Sequence, residues 1–185
     1  MADRTTRLAA LMLALGVLVS PLAAAKEVTL PHRGITLNAT LEIAEGKSFA
    51  DGVVLMVHGT MQHLDFSTMR ETRRLLRAKG YSTLAVNLGL GVNERRGMFD
   101  CERASTHRFG DALDEIGAWL EWLQANGARR VVLFGFSRGG QQAAWFAAER
   151  DHPALASLVL RAPINPAEFA NPARYEAQFG APLRP

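Results

Sequence analysis

Residues 131–140 read Val-Val-Leu-Phe-Gly-Phe-Ser-Arg-Gly-Gly (VVLFGFSRGG), an apolar run that passes without a break into a serine set among glycines. A short continuous apolar run bounded by glycine is the pattern of a strand buried on both faces. The next residues, 141–150 (QQAAWFAAER), are rich in alanine and suit a helix packed closely on a sheet. The stretch therefore predicts strand, tight turn, helix, with Ser137 in the turn. Such a turn pushes the hydroxyl out of the sheet. Gly135 and Gly139 keep bulk away from the crowded backbone, and Gly140 lets the helix approach. A helix N-terminus directed at Ser137 supplies partial positive charge and free N–H groups where an oxyanion would form. The chemistry that needs this arrangement is a nucleophilic serine; the plain alternative is a turn with an N-cap serine. Gly-x-Ser-x-Gly alone is a common accident, so the strand and helix around it carry the reading.

The same pattern recurs on either side. Residues 53–57 (VVLMV), 83–86 (TLAV) and 155–160 (LASLVL) are further short apolar runs. Between them lie helical periods. One begins at Thr68, where Thr68-x-x-Glu71 fits a capping box, shows Leu75 and Leu76 as its apolar face, and stops at Gly80. A second covers 109–125, with Phe109, Leu113, Ile116, Trp119, Leu120 and Leu123 at helical spacing and Asn126-Gly127 as its stop. A third follows Ser137, and a weaker fourth covers 166–179. Ahead of all this, Ile35, Leu37, Ala39, Leu41 and Ile43 alternate with polar residues as a half-buried strand. Val28 and Leu30 suggest its partner across a turn at 31–34. Strand and helix in alternation imply an α/β fold with right-handed crossovers and a ligand site beyond the carboxyl ends of the strands.

A second segment belongs at that end of the sheet. The run 53–57 leads into His58-Gly59-Thr60-Met61. Its position suits the other half of an oxyanion hole, with the N–H of Thr60 or Met61 acting beside that of Arg138. His58 reads as a residue tying this loop down rather than as a proton carrier.

With these two segments the chain resembles the α/β-hydrolase superfamily, and is similar to its secreted or periplasmic serine hydrolases. The likeness covers nearly all of residues 26–185: hairpin, VVLMVHGT, GYSTLAVNL (80–88), GFSRGG and SLVLRAP. It implies a mostly parallel, eight-stranded sheet and a Ser–acid–His triad in that chain order. Strands one to six can be counted. After Ser137 the acidic residues are Glu149, Asp151, Glu168 and Glu176, and the histidine is His152. Asp151-His152 falls between a helix and the next strand, at the amino ends, a strand length of roughly 17 to 20 Å from Ser137. Glu168 follows the sixth strand, where some members of the superfamily carry their acid. His63 and His107 lie in loops on the carboxyl side but precede the serine. The expectation is that acid and base lie beyond Pro185, in a longer hydrolase of which this is the N-terminal part. The rival expectation is a truncated or inactive hydrolase-fold protein that binds a ligand or partner.

The N-terminus carries a different message. Arg4 and Arg7 precede an apolar run over 8–19, followed by Ala23-Ala24-Ala25. That order is a secretory signal peptide over 1–25, implying an exported domain over 26–185 with no stable membrane span after cleavage. The single cysteine, Cys101, cannot form an internal disulfide and reads as a small buried residue. A composition of 48% hydrophobic and 21% charged residues supports a packed core. Net charge is +3 with the basic residues scattered, which argues against a nucleic-acid partner. Arg95, Arg96, Arg103 and Arg108 in the long loop 89–108 read as solvated. The expected ligand is a small acyl compound, with neither metal nor cofactor.

Overall fold

The computed structural model describes residues 25–104 and 106–165, together with positions 173, 176, 177 and 180. The expected signal peptide, the fourth helix and Glu168 fall almost wholly outside these residues. The described elements run β1 (Lys26–His32), β2 (Ile35–Glu42), β3 (Val53–Val57), α1 (Ser67–Ala78), β4 (Ser82–Asn87), α2 (Asp111–Ala125), β5 (Val131–Phe136), α3 (Arg138–Glu149) and β6 (Leu155–Arg161). The six strands form one sheet in the order β1-β2-β4-β3-β5-β6. β1, β2 and β4 are joined antiparallel, and β4, β3, β5 and β6 run parallel.

The opening hairpin turns at Arg33-Gly34, with φ of 45° and 82°. Two positive φ values make the tight turn whose twist matches paired strands, so Pro31 belongs to β1 and not to the turn. The polar side of β2 is covered as well as its apolar side. Asn38, 2% exposed, accepts a hydrogen bond from the Asn87 amide and donates one to the Arg95 carbonyl.

Alternation along the central strands loads both faces of the sheet. Val53, Leu55 and Val57 of β3 join Leu84, Val86 and Leu133 under Ile116, Trp119 and Leu120 of α2 and Phe146 of α3. Val54, Met56, Ala85 and Phe134 point the other way, onto Met69 of α1. This two-sided burial explains why β3, β4 and β5 read as unbroken apolar runs; β6, at the end of the sheet, is instead largely exposed, because no strand pairs its outer edge among the described residues. α1 differs from expectation at its start and its face. Its N-cap is Phe66, so Thr68 lies inside the first turn and forms no capping box, while Glu71 pairs with Arg74. Met69 is the buried anchor, and Leu75 is 53% exposed. Its end is as expected: Gly80 at φ +77° donates to the Arg77 carbonyl, and Tyr81 donates to Leu76. α2 starts after Phe109, which turns away to stack on Trp145 at 4.9 Å.

Candidate active site

β5 delivers Ser137 to the carboxyl end of the sheet with φ 55° and ψ −121°. A non-glycine residue there costs on the order of 1–3 kcal/mol and persists only where neighbours over-determine it. Here the Ser137 N–H donates to the Arg161 carbonyl at 3.0 Å, and its carbonyl accepts from Gly140 at 2.9 Å. Gln141 and Ile164 add donors to the same carbonyl at 3.2 and 3.3 Å. The side chain makes no capping hydrogen bond, unlike the N-cap serine of a plain turn. The glycines are required by contact. A Cβ on Gly135 would stand 2.6 Å from the Gly140 Cα, and one on Gly139 would stand 2.6 Å from the Val57 carbonyl oxygen. Gly139 thus lets α3 press on the end of β3, which brings the loop after β3 beside Ser137.

That loop is held from behind. His58 is 1% exposed. Its Nε2 accepts from the Leu88 N–H at 3.2 Å and from Arg95 Nη2 at 2.8 Å. Its remaining nitrogen, Nδ1, therefore carries the proton and donates to the Gly59 carbonyl at 2.8 Å. Burial, and then the Arg95 charge, push the imidazole down to about 3, so it stays neutral at ordinary pH. Met61 sits at φ 56°, its carbonyl accepting from the Phe99 N–H at 2.8 Å. The N–H groups of Thr60 and Met61 have no backbone acceptor among the described residues. Arg138, as the first residue of α3, has no partner for its N–H within the helix. Thr60, Met61 and Arg138 line one cavity of about 130 Å³, closed by Phe99, His107 and Gln142.

A buried polar group supports this cavity. Arg95 is 4% exposed and donates from Nε to the Leu88 carbonyl at 2.6 Å and from Nη1 to Gly97 at 2.7 Å. Burial lowers it to about 10. Glu115 of α2, 2% exposed, accepts from the Gly89 N–H at 2.7 Å, and burial raises its carboxyl to about 7. Arg95 is thus not the solvated side chain expected of this loop: the loop folds back onto β2 and β4 and takes it inside. Arg96, by contrast, is exposed and pairs with Glu27.

The other candidates disperse. His152 lies three residues before Leu155, the first residue of β6, which pairs with Val131 at the amino end of β5, opposite Ser137. His63 packs edge-on against Phe66, ring centroids 6.3 Å apart. His107 does reach the cavity; its side chain is 8% exposed, neither ring nitrogen has a hydrogen-bond partner, and Asp111 lies 3.8 Å away. Burial, as the largest effect, lowers its pKa. No hydrogen bond joins the Ser137 hydroxyl to a histidine among the described residues. Cys101 is exposed, not buried, with its Sγ 3.6 Å from the Met61 Sδ. Gln142, 2% exposed, is a cavity residue that sequence reasoning missed. Its spacing of four from Arg138 was the available signal. A second, apolar cavity of about 640 Å³ is lined by Phe109, by Ala144 and Trp145 of α3, by Leu160 of β6, and by Pro163 and Ile164 after it. No group of three or more His, Cys, Asp or Glu that could hold a metal ion occurs among the described residues. No helix there is long and apolar enough to cross a membrane.

No curated protein matches the chain in sequence. Among solved structures, the esterase Pf2001 of Pyrococcus furiosus superposes with a TM-score of 0.62 at 21% identity over 84% of this chain and 56% of its own. Dienelactone hydrolase of Anabaena variabilis gives 0.61 at 24% identity over 77% of this chain and 64% of its own. Est1E of Butyrivibrio proteoclasticus with ferulic acid bound gives 0.63 at 20% identity over 85% and 60% respectively. At these identities the likeness speaks to fold, and the chain spans 56% to 64% of the length of these three proteins. The family described as alpha/beta hydrolase fold matches residues 52–182. That match takes in β3, the loop after it, and the Ser137 turn, and the chain belongs to the alpha/beta hydrolase fold family.

Proposed function

We propose that this chain carries the nucleophile of an exported serine hydrolase acting on a carboxylic ester or related acyl compound. In this reading the Ser137 oxygen attacks the acyl carbon and the carbonyl oxygen takes up the negative charge. The N–H groups of Thr60 or Met61 and of Arg138 receive it, the ester C–O bond breaks with the serine proton ending on the departing alcohol, and water then cleaves the acyl-serine to release the acid and restore the hydroxyl. The observation that carries the reading is the strained Ser137 at φ 55°, its side chain free of any capping role and its Cβ packed 3.2 Å from where a Gly59 Cβ would stand, beside the loop whose Thr60 and Met61 N–H groups have no backbone acceptor among the described residues. His58 is excluded as the base, because its Nε2 lone pair is occupied by two donors. Export rests on the Arg4, Arg7, apolar, Ala23-Ala24-Ala25 order at the N-terminus.

A fluorophosphonate probe tests the reading directly. The wild-type protein is expected to take up label and Ser137→Ala to take up none. A folded wild-type protein that remains unlabelled would overturn it. That result would favour a hydrolase-fold binding module, the reading supported by the absence of a hydrogen bond between Ser137 and any histidine among the described residues.

A further inference from the structure

The peptide joining Gly59 to Thr60 has two polar groups with opposite tasks. Its carbonyl belongs to Gly59 and its N–H to Thr60, and in a trans peptide these two point in opposite directions. The carbonyl is held inward by two donors, His58 Nδ1–H at 2.8 Å and the Gln62 N–H at 3.2 Å. The Thr60 N–H is therefore turned outward, and Thr60 lines the cavity shared with Arg138. What fixes the carbonyl also aims the donor.

His58 can hold that carbonyl only with its proton on Nδ1. The other tautomer would place a lone pair against the Gly59 oxygen and an N–H against two donors. Arg95 makes the closer of the two contacts that enforce the choice, at 2.8 Å against 3.2 Å for the Leu88 N–H, and a guanidinium has N–H groups and no acceptor to offer Nε2. The same side chain is itself oriented by the Leu88 and Gly97 carbonyls, at 2.6 and 2.7 Å. The Arg95 main-chain carbonyl accepts from Asn38 at 2.9 Å and Asn87 at 3.1 Å, which anchors the relay to β2 and to the end of β4. A guanidinium only 4% exposed with no carboxylate in salt-bridge contact among the described residues is costly to bury. Its three oriented hydrogen bonds are what that cost secures.

We infer that Arg95 is a positioning residue for the oxyanion site: through the tautomer of His58 it sets the direction of the Thr60 N–H. This rests on the hydrolase reading for its catalytic consequence, but the tautomer itself does not depend on that reading. A relay of this kind acts on the rate of bond formation at Ser137 and leaves access of the reagent unchanged.

The test compares Arg95→Met, Arg95→Lys and the surface control Arg96→Met by the kinetics of fluorophosphonate labelling, together with the nitrogen-15 imidazole spectrum of His58. Arg95→Met is expected to slow the labelling step by about 10- to 100-fold, the scale of a misdirected oxyanion donor. The apparent reagent affinity and the final labelled fraction should match wild type, and the His58 spectrum should show a second form beside Nδ1–H, because the 3.2 Å contact from the Leu88 N–H is then the one donor left on Nε2. Arg95→Lys should recover part of the rate, while Arg96→Met should behave as wild type. The inference is overturned if Arg95→Met labels at the wild-type rate, or if only its labelled fraction falls, which marks simple unfolding. If wild-type protein takes no label, the hydrolase reading fails and the spectrum alone decides. A His58 ring that stays wholly in its Nδ1–H form in Arg95→Met then overturns the relay, and a mixture of the two forms upholds it.

Discussion

Gly59 and Ser137 lie 78 positions apart in the chain, yet a Cβ built on Gly59 would stand 3.2 Å from the Cβ of Ser137. The ends of β3 and β5 are neighbours in the sheet, Val57 beside Gly135, so the two loops that follow them have to share one space. That contact makes Gly59→Ala a sensitive probe. The added methyl also meets Gln62 Oε1 at 3.0 Å, so both the loop and the serine must yield. The fold should survive, with the rate of serine labelling reduced by about 10-fold or more, as expected for displacement of reacting groups by a fraction of an ångström. Circular dichroism alongside labelling kinetics checks this; a wild-type rate would show that the two loops move independently.

Gly139→Ala is expected to act on stability as well as on the site. Its methyl would meet the Val57 carbonyl oxygen at 2.6 Å, a backbone atom with no rotamer to change. Overpacking of this kind costs about 1–3 kcal/mol or more, and the end of β3 must separate from α3 to relieve it. Urea denaturation should show an earlier midpoint with an unchanged slope. An unaltered midpoint would mean that the close approach of α3 to β3 is not needed.

Glu115 and His58 give the fold opposite responses to pH. Glu115 is raised from 4.5 to about 7, so its protonated form is favoured in the folded state. The stability it contributes is complete below pH 4.5 and is lost as pH rises through about 7. His58 is lowered from 6.5 to about 3, so its contribution is present above 6.5 and is lost as pH falls towards 3. Glu115→Gln keeps an acceptor for the Gly89 N–H but removes the ionisation. Melting temperatures at about pH 5 and about pH 8.5 should show the variant gaining a few degrees on wild type at the higher pH only. Parallel curves for the two proteins would rule out ionisation of Glu115 as the cause of alkaline destabilisation.

The last strand predicts an association phenotype. β6 is the end strand of the described sheet, and it exposes Val159 at 46% and Leu160 at 39%. An uncovered apolar edge templates pairing with another chain. For the 26–185 polypeptide, Val159→Lys should lower the associated fraction in sedimentation velocity while leaving the melting temperature near that of wild type. Equal association of both proteins would show that this strand is not the sticking surface.

Local pattern was sufficient wherever one short-range rule governed the chain. The unbroken run 53–57 became β3 with the same bounds, because five apolar residues between polar flanks have no other buried arrangement as compact. The Gly80 and Gly127 stops were legible because a left-handed residue after a helix satisfies its last carbonyls locally. The start of α1 was not. A Ser/Thr-x-x-Glu match is necessary for a capping box but does not compel one, and Met69, not Leu75, reached the core. Cys101 and Arg95 were both misread, in opposite directions, because the burial of a loop residue depends on where the loop folds back.

Ser137 and the His58–Met61 loop were legible because each follows a buried strand, and neighbouring strands deliver their loops to the same end of the sheet. The sequence by itself determined the strand–turn–helix at 131–140, the two-faced burial of the central parallel strands β3, β4 and β5, and the glycines that the Ser137 turn requires. Only the tertiary structure decided which polar groups are taken out of water beside that turn. Arg95, Glu115 and Gln142 come from a loop and two helices, and their burial at 4%, 2% and 2% arises from packing between distant segments. The tautomer of His58 belongs to that second class. It follows from which donors face the ring across the fold, and no spacing along the chain records it.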